Sequence, residues 1–226
     1  MKRIFYIGDS TVQFNKIDTY PQTGMSQVLP IFTAEGITVC PHAKNGRSTK
    51  SFLDEGRFQP VQRQMGEDDF LFIQFGHNDE KQDPARYTEP YGSYQDNLRL
   101  FITEARKKGA YPVLITPIAR RLFDGEGNFL PGSHGDYPEA VRQLGKAEKV
   151  PVADLTALTE QFLAELGDEP SRPLFVWPVD NTHLKYDGAV TMVRFLCREL
   201  ERFGPPYSCL LYNPEQTEKF INDEVF

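Results

Sequence analysis

With 226 residues, of which 39% are hydrophobic and 25% charged, the chain has the composition of a globular protein with a substantial core. Its net charge of −7 disfavours nucleic acid and anionic membranes as partners, and no apolar run approaches the roughly 20 residues of a membrane span. The N-terminal segment shows no apolar stretch of signal-peptide type, so we expect a cytoplasmic protein. Cys40, Cys197 and Cys209 lack metal-ligand spacing and are expected to be reduced thiols.

The N-terminal half predicts three β-strands. Residues 4–7 form a short run of isoleucine and aromatic residues, typical of a buried strand, and the run stops at Gly8. Residues 37–40 are mostly β-branched and predict a second strand, and residues 69–75 predict a third that is covered on both faces. Between the first two strands, residues 25–34 predict a short helix.

The C-terminal half alternates helices with two further strands. Residues 113–115 and 150–153 are short apolar runs that predict the fourth and fifth strands. Residues 117–136 form a long polar loop, and loops of that length in a compact domain are more often functional than idle. Apolar spacing predicts helices at residues 94–108, 137–149, 155–166 and 185–203.

This alternation predicts an α/β fold: a parallel sheet with helices on both faces. No repeat or linker interrupts it, so we expect residues 1–226 to form a single domain. Residues 204–226 follow the last helix and begin near two prolines, yet they remain rich in apolar side chains. We expect them to form a C-terminal arm that packs on its own domain or on a neighbouring subunit.

Polar loops follow the first three predicted strands. They carry Ser10, Gly46 and residues 76–79. If the first strand lies between the other two, all three loops meet outside the carboxyl ends of the strands, where open parallel sheets bind ligands. Glycine, asparagine, aspartate and serine are also ordinary turn residues, so each loop alone has a purely structural explanation.

A serine nucleophile needs a base and an orienting carboxylate. Asp180 and His183 lie three residues apart just before the last predicted helix, close enough for the carboxylate to accept from one imidazole nitrogen. The other nitrogen would then be able to take the proton of Ser10. A local cap or a solvated turn explains the same spacing, and spacing alone does not place this loop beside Ser10.

Taken together, these segments resemble the four ordered sequence blocks of the SGNH (GDSL-type) hydrolases, and more narrowly the rhamnogalacturonan acetylesterase branch. The blocks occur in the family's order over nearly the whole chain, which makes the match far more specific than any one of them. The segments are Gly8-Asp9-Ser10-Thr11, Asn45-Gly46-Arg47-Ser48, Phe75-Gly76-His77-Asn78-Asp79 and Asp180-Asn181-Thr182-His183-Leu184, with His134-Gly135-Asp136-Tyr137-Pro138 as a further match.

The resemblance implies a flavodoxin-like three-layer α/β/α sandwich with a five-stranded parallel sheet. It implies Ser10 as nucleophile, His183 as general base and then acid, and Asp180 as the group that orients the imidazole. The oxyanion hole would comprise the backbone N–H groups of Ser10 and Gly46 and the side-chain amide of Asn78. The implied activity is a serine carboxylesterase that removes O-acetyl groups from acetylated pectic saccharides, without a cofactor or a metal.

Substrate-binding residues are predicted from chemistry. Arg47, Arg120 and Arg121 could meet the carboxylates of a uronate-rich chain, and Trp177 could stack on a sugar ring. We also place His77 among the candidate substrate-binding residues, although a role in loop geometry is an alternative. Solvated arginines and core aromatics have the same sequence signature, and the sequence does not indicate whether the protein is a monomer or a homodimer.

Three other functions stay open at this stage. The first is a different SGNH esterase, acting on lipid esters, thioesters or xylan-type acetyl esters. The second is a flavodoxin-like binding module in which residues 8–11 cradle a phosphate, although no phosphate-loop motif follows the first strand. The third is a metal site that includes His77 or His134, which no thiolate cluster or paired-histidine spacing supports.

Overall fold

The computed structural model describes residues 2–212. Five strands form one sheet in which every neighbouring pair is parallel. The order across the sheet is β2-β1-β3-β4-β5, which confirms the predicted α/β class. The strands are β1 (Lys2–Gly8), β2 (Ile37–Pro41), β3 (Phe70–Gln74), β4 (Tyr111–Ile115) and β5 (Val152–Ala153).

Helices join the strands and cover both faces of the sheet. The helices are α1 (Met25–Val28), α2 (Thr49–Asp54), α3 (Phe58–Gln64), α4 (Gln95–Lys107), α5 (Tyr137–Glu148), α6 (Leu155–Leu166), α7 (Asp168–Ser171) and α8 (Tyr186–Phe203).

Strand β1 lies between β2 and β3. Ile4 is in register with Val39 on one side and with Phe70 on the other. The loops that follow these three strands therefore leave the same end of the sheet, at the carboxyl ends of the strands, as the sequence predicts if β1 is central. This end of the sheet carries the candidate functional residues.

Two hydrophobic cores fill the space between the sheet and its helices. Alternate residues of a strand point to opposite faces. Ile4 and Tyr6 therefore pack toward α1, α6 and α8, whereas Phe5 and Ile7 pack toward the face covered by α2 to α5. All four side chains are fully buried, and each apolar side chain of this size stabilises the fold by about 1.5–3 kcal/mol.

The helices differ from the sequence prediction in two ways. The predicted helix of residues 25–34 ends at Val28 and continues as a 3₁₀ turn, Leu29–Phe32, because Pro30 has no backbone N–H for an α-helical hydrogen bond. Helices α2, α3 and α7 were not predicted. Each has at most seven residues, so none of these segments has a long apolar period.

The first part of the C-terminal arm packs on the domain. Leu210 and Leu211 are buried, and the Leu210 carbonyl accepts a 2.9 Å hydrogen bond from the Ala34 N–H. The Tyr207 ring lies edge-on to those of Phe70 and Tyr111. Residues 213–226 of the predicted arm lie outside the described residues.

Among the helices of residues 2–212, none has the length and apolarity to span a bilayer.

Candidate active site

A tight turn after β1 presents Ser10 at the carboxyl end of this strand. A Cβ at Gly8 would lie 2.5 Å from the Gln74 carbonyl oxygen, so this close approach of two strands requires glycine. Asp9 holds the turn, because its Oδ1 accepts hydrogen bonds from the Thr11 N–H at 3.0 Å and the Thr11 hydroxyl at 2.9 Å. Ser10 follows Asp9 in this turn and is 7% exposed.

The loop after β2 lies directly beside this turn. The Lys44 N–H donates to the Gly8 carbonyl at 3.0 Å, which ties the two loops together. Gly46 has φ +77°, a left-handed conformation that favours glycine, and open space surrounds the position of its missing Cβ. Within residues 2–212 the N–H groups of Ser10 and Gly46 donate no hydrogen bond, so both are available to a ligand.

The side chain of Asn78 turns its amide toward the second loop. Its Nδ2 donates to the Arg47 carbonyl at 3.3 Å, and its Oδ1 accepts from the Arg86 guanidinium at 3.5 Å. An amide nitrogen carries two hydrogens, and one of them is used by the Arg47 carbonyl. The other hydrogen has no acceptor among residues 2–212, and the bond to Arg47 places this neutral amide beside the loop that carries Gly46.

Asp180 and His183 form a tight pair before α8. The Asp180 carboxylate and His183 Nδ1 are 2.9 Å apart, and the same carboxylate accepts from the backbone N–H groups of Thr182 at 2.8 Å and His183 at 2.7 Å. Burial raises the pKa of Asp180, but these hydrogen bonds outweigh it, so the pKa lies below its usual value. The ionised carboxylate requires a proton on Nδ1, which leaves Nε2 as the acceptor of a neutral imidazole.

The His183 loop is joined to the Ser10 turn through the start of α1. The Thr23 N–H donates to the Leu184 carbonyl at 2.8 Å, and the Met25 N–H donates to the Thr11 carbonyl at 2.9 Å. The Ser10 hydroxyl itself makes no hydrogen bond to His183 within residues 2–212. Catalytic hydrogen bonds often form only when substrate is bound. The triad and the oxyanion hole therefore stay predictions that this arrangement supports.

A buried carboxylate connects the third loop to α2. Asp79 is fully buried, and its Oδ1 accepts from the Thr49 N–H at 3.0 Å and the Thr88 hydroxyl at 3.1 Å. Burial raises the pKa of Asp79 to about 7, against the opposing effect of these hydrogen bonds and with a small contribution from the nearby Asp9. Asp79 therefore stabilises the loop that carries Asn78.

His77 lies beneath the surface. Its side chain is 3% exposed, and its ring stands edge-on to that of His134 with the centroids 4.4 Å apart. Neither ring nitrogen of His77 has a hydrogen-bond partner within residues 2–212. Burial, together with the nearby charges of His134 and Arg120, holds its pKa well below the usual value, so the ring is neutral. This position fits loop packing better than the predicted contact with substrate.

Arg47 and Trp177 lie closer to solvent than His77. The guanidinium of Arg47 pairs with Glu55 at 3.1 Å and lies in the same loop as Gly46. Trp177 is 37% exposed, and the guanidinium groups of Arg121 and Arg172 lie 4.7 and 5.2 Å from its ring centroid. Both side chains keep the exposure that the predicted contact with substrate requires.

Two consecutive arginines of the long loop hold the loop that carries His183. Arg121 is 2% exposed, donates through its backbone N–H to the Asn181 carbonyl at 2.8 Å, and donates through Nη1 to the Asn181 side chain at 3.0 Å. Its guanidinium also pairs with Asp168. Arg120 donates to the Thr182 hydroxyl at 2.8 Å. Sequence reasoning gave Thr182 no role of its own and did not identify Asp168, because their partners lie 47 to 62 residues away.

The site has no conventional metal centre in the part of the chain that the structure describes. No group of three or more histidine, cysteine, aspartate or glutamate side chains among residues 2–212 is arranged to hold a metal ion. His134, one of the metal-ligand candidates, directs its two ring nitrogens at the Glu80 carboxylate, 3.0 Å away, and the Ile118 carbonyl, 2.8 Å away.

Comparison with known proteins gives related sequences and folds. The chain is 39% identical to the rhamnogalacturonan acetylesterase RhgT of Bacillus subtilis, over 96% of this chain and 97% of that one. It is also 39% identical to the probable rhamnogalacturonan acetylesterase YesY of the same organism, over 90% of this chain and 94% of that one.

Solved structures show the same architecture. The YxiM protein of Bacillus subtilis superposes with a TM-score of 0.81 at 25% identity, over 91% of this chain, and the chain spans 57% of that longer protein. The acetylxylan esterase Axe2 of Geobacillus stearothermophilus has a TM-score of 0.64 at 17% identity, over 91% of this chain and 95% of that one, and shows the fold alone.

The family match spans the site from the first strand to the last helix. Residues 6–189 match the GDSL-like lipase/acylhydrolase family, and this range includes every residue of the candidate site. The alternative of a non-catalytic phosphate-binding module is therefore set aside. The chain belongs to the GDSL-like lipase/acylhydrolase family and is a carboxylic ester hydrolase.

Proposed function

We propose that this chain is a serine acetylesterase that removes O-acetyl groups from acetylated pectic saccharides of the rhamnogalacturonan type. The observation that carries the proposal is the ionised Asp180 held against Nδ1 of His183, in a loop that residues 23–25 join to the turn of Ser10. The choice of substrate rests on 39% identity, over nearly the whole chain, to a relative named rhamnogalacturonan acetylesterase.

The reaction begins with attack by Ser10. As its Oγ bonds to the acetyl carbonyl carbon, Nε2 of His183 accepts the hydroxyl proton and Asp180 stabilises the imidazolium. The tetrahedral intermediate then collapses, and His183 returns the proton to the sugar oxygen that leaves. A water molecule, deprotonated by the same nitrogen, hydrolyses the acetyl-Ser10 ester and regenerates the hydroxyl.

The negative charge of the tetrahedral oxygen needs donors that are already in place. In the proposed mechanism these are the backbone N–H groups of Ser10 and Gly46 and the second amide hydrogen of Asn78. Each such donor contributes about 2.7–4 kcal/mol to stabilisation of a transition state of this kind. Support comes from the two N–H groups, which donate no hydrogen bond to any residue of the range 2–212, and from the amide orientation that the Arg47 carbonyl fixes.

The substrate is tested by measuring acetate release. We would compare kcat/KM for acetylated rhamnogalacturonan, its oligosaccharides and acetylated xylan, with p-nitrophenyl esters of increasing chain length as a separate series. The proposal predicts the highest kcat/KM on the pectic substrates and a steep decline beyond short acyl chains. A preference for xylan or for long-chain esters would assign a different ester substrate to the same site.

A further inference from the structure

One guanidinium joins the two loops that carry the candidate base and the candidate oxyanion amide. Arg120 Nη1 donates to the hydroxyl of Thr182 at 2.8 Å, and Nη2 donates to the His77 carbonyl at 3.2 Å. Thr182 immediately precedes His183, and His77 immediately precedes Asn78. Arg120 therefore contacts the residue that precedes His183 and the residue that precedes Asn78. In the proposed mechanism, both of these side chains act on the same ester group.

We propose that Arg120 is a positioning residue, which fixes His183 relative to Asn78 instead of binding the carboxylates of the substrate. The proposal rests on the proposed function, because it assigns the use of these two side chains to ester hydrolysis. It replaces the substrate contact expected from the sequence.

A partly buried network of polar contacts holds Arg120 in place. Glu80 pairs with Arg120 through Oε1 and with His134 Nδ1 through Oε2 at 3.0 Å. The other nitrogen of His134 faces the Ile118 carbonyl at 2.8 Å. His134 therefore ties the Glu80 carboxylate to the loop that carries Ile118 and Arg120.

Glu80 therefore lies between His134 and Arg120, with one carboxylate oxygen toward each. Burial raises its pKa, but the hydrogen bonds and charges of His134 and Arg120 outweigh that effect and lower the pKa overall. The ionised carboxylate and the His77 carbonyl both accept from Nη2 of Arg120, while the Thr182 hydroxyl accepts from Nη1. With only 21% of its side chain exposed, Arg120 has little freedom to turn toward a ligand.

Arginine suits this position because its planar fork presents fixed N–H directions to several acceptors at once. Lysine keeps the charge but is a flexible point donor that cannot reproduce the geometry. A displacement of about 1 Å between catalytic groups can reduce a rate by roughly 10²-fold. We therefore expect the loss of Arg120 to act on kcat more than on KM.

The test compares a neutral ester with an acidic saccharide. R120K and T182V would be assayed on p-nitrophenyl acetate, which has no carboxylate, and on acetylated rhamnogalacturonan. The proposal predicts that R120K lowers kcat by about 10- to 100-fold on both substrates, with KM changed less than about threefold. T182V removes the acceptor and should show a smaller loss of the same kind, whereas T182S keeps the hydroxyl and should retain most of the rate.

The double variant R120K/T182V distinguishes positioning from independent effects. If both changes disrupt one contact, their combined loss is smaller than the product of the two single losses. R202K is a matched control, because Arg202 pairs with Glu199 near the far end of α8 with 62% of its side chain exposed. Thermal unfolding of each variant checks the fold, and T182V provides the test if R120K does not fold.

A loss confined to KM on the acidic saccharide, with normal p-nitrophenyl acetate hydrolysis, would show that Arg120 binds substrate and would overturn the proposal. Wild-type kcat in T182V would also overturn it. Because the neutral ester reports on Arg120 whichever saccharide is the natural substrate, an error in the proposed pectic substrate would be seen separately, in the substrate panel.

Discussion

The Asp180 carboxylate makes three hydrogen bonds to its own loop, and the 2.9 Å bond to His183 Nδ1 is the one that determines the tautomer of the imidazole. The two backbone bonds, from Thr182 and His183, hold the carboxylate in the plane that this interaction needs. Since the pKa of Asp180 is below its usual value, the carboxylate stays ionised through neutral pH. In the proposed mechanism, this loop presents Nε2 as the base before substrate arrives.

Asp180→Asn should lower kcat by about 10³- to 10⁴-fold, as in other triad enzymes. The new amide can donate to Nδ1, which would move the imidazole proton to Nε2 and remove the base. Thermal unfolding should change little, because the amide oxygen can still accept from the backbone N–H groups. Steady-state kinetics on p-nitrophenyl acetate measure the loss, and a variant with more than a tenth of wild-type kcat would exclude the orienting role.

Gly46→Ala should reduce both stability and rate. The position has φ +77°, which costs an alanine about 1–2 kcal/mol, although open space surrounds the added methyl. Relaxation of the loop would shift the Gly46 N–H and lower kcat by about 10- to 100-fold.

Gly36→Ala is the matched control for Gly46→Ala. Gly36 also has a positive φ, +82°, and open space at its Cβ position. However, it precedes β2, at the end of the strand opposite to the candidate site. Urea unfolding should show similar losses for the two variants. If Gly36→Ala lowers kcat as much as Gly46→Ala, backbone strain and not the N–H donor accounts for the effect.

Asp79 should make stability depend on pH between about 4 and about 7. Its folded-state pKa is about 7, whereas an unfolded aspartate titrates near 3.9. The folded state binds the extra proton in this window, so the free energy of unfolding should fall as pH rises from 4 to 7, by at most a few kcal/mol.

Asp79→Asn removes this titration. The difference in unfolding free energy between wild type and variant, measured in urea from pH 4 to 8, should therefore fall in the same window and level off above it. Other titrating groups are common to both proteins and largely cancel. A difference that does not vary with pH would contradict the raised pKa.

Trp177→Ala should raise KM for acetylated rhamnogalacturonan by about 2- to 10-fold, the range expected for loss of one aromatic contact. The effect on p-nitrophenyl acetate should be small, because that ester has no sugar ring to stack. Trp177→Phe retains a ring, and its KM for acetylated rhamnogalacturonan should lie between those of wild type and Trp177→Ala. An equal loss of kcat on both substrates would show that Trp177 only supports the loop through Arg121 and Arg172.

The sequence was sufficient to predict the five strands along the chain and most of the helices. Strand β1 and helix α8 have long apolar patterns, and α6 has the predicted bounds of residues 155–166. Helices α2, α3 and α7 were missed because they are short and end within one or two turns, so their formation depends on tertiary packing.

The site was only partly predictable. Asp180 and His183 are three residues apart, so their contact is local and follows from spacing. The contacts of Arg120 link residues 40 to 62 positions apart, which no local pattern reveals. For the same reason its exposed-arginine signature suggested substrate binding, whereas the folded chain directs its guanidinium at protein acceptors.

The most direct test of the account is acetate release by Ser10→Ala. The variant loses only a hydroxyl that makes no hydrogen bond to His183 within residues 2–212, so its thermal unfolding should match that of wild type. We predict that kcat/KM on acetylated rhamnogalacturonan and on p-nitrophenyl acetate falls by at least about 10³-fold. Acetate release at the wild-type rate by a folded Ser10→Ala variant would show that Ser10 is not the nucleophile and would contradict the mechanism.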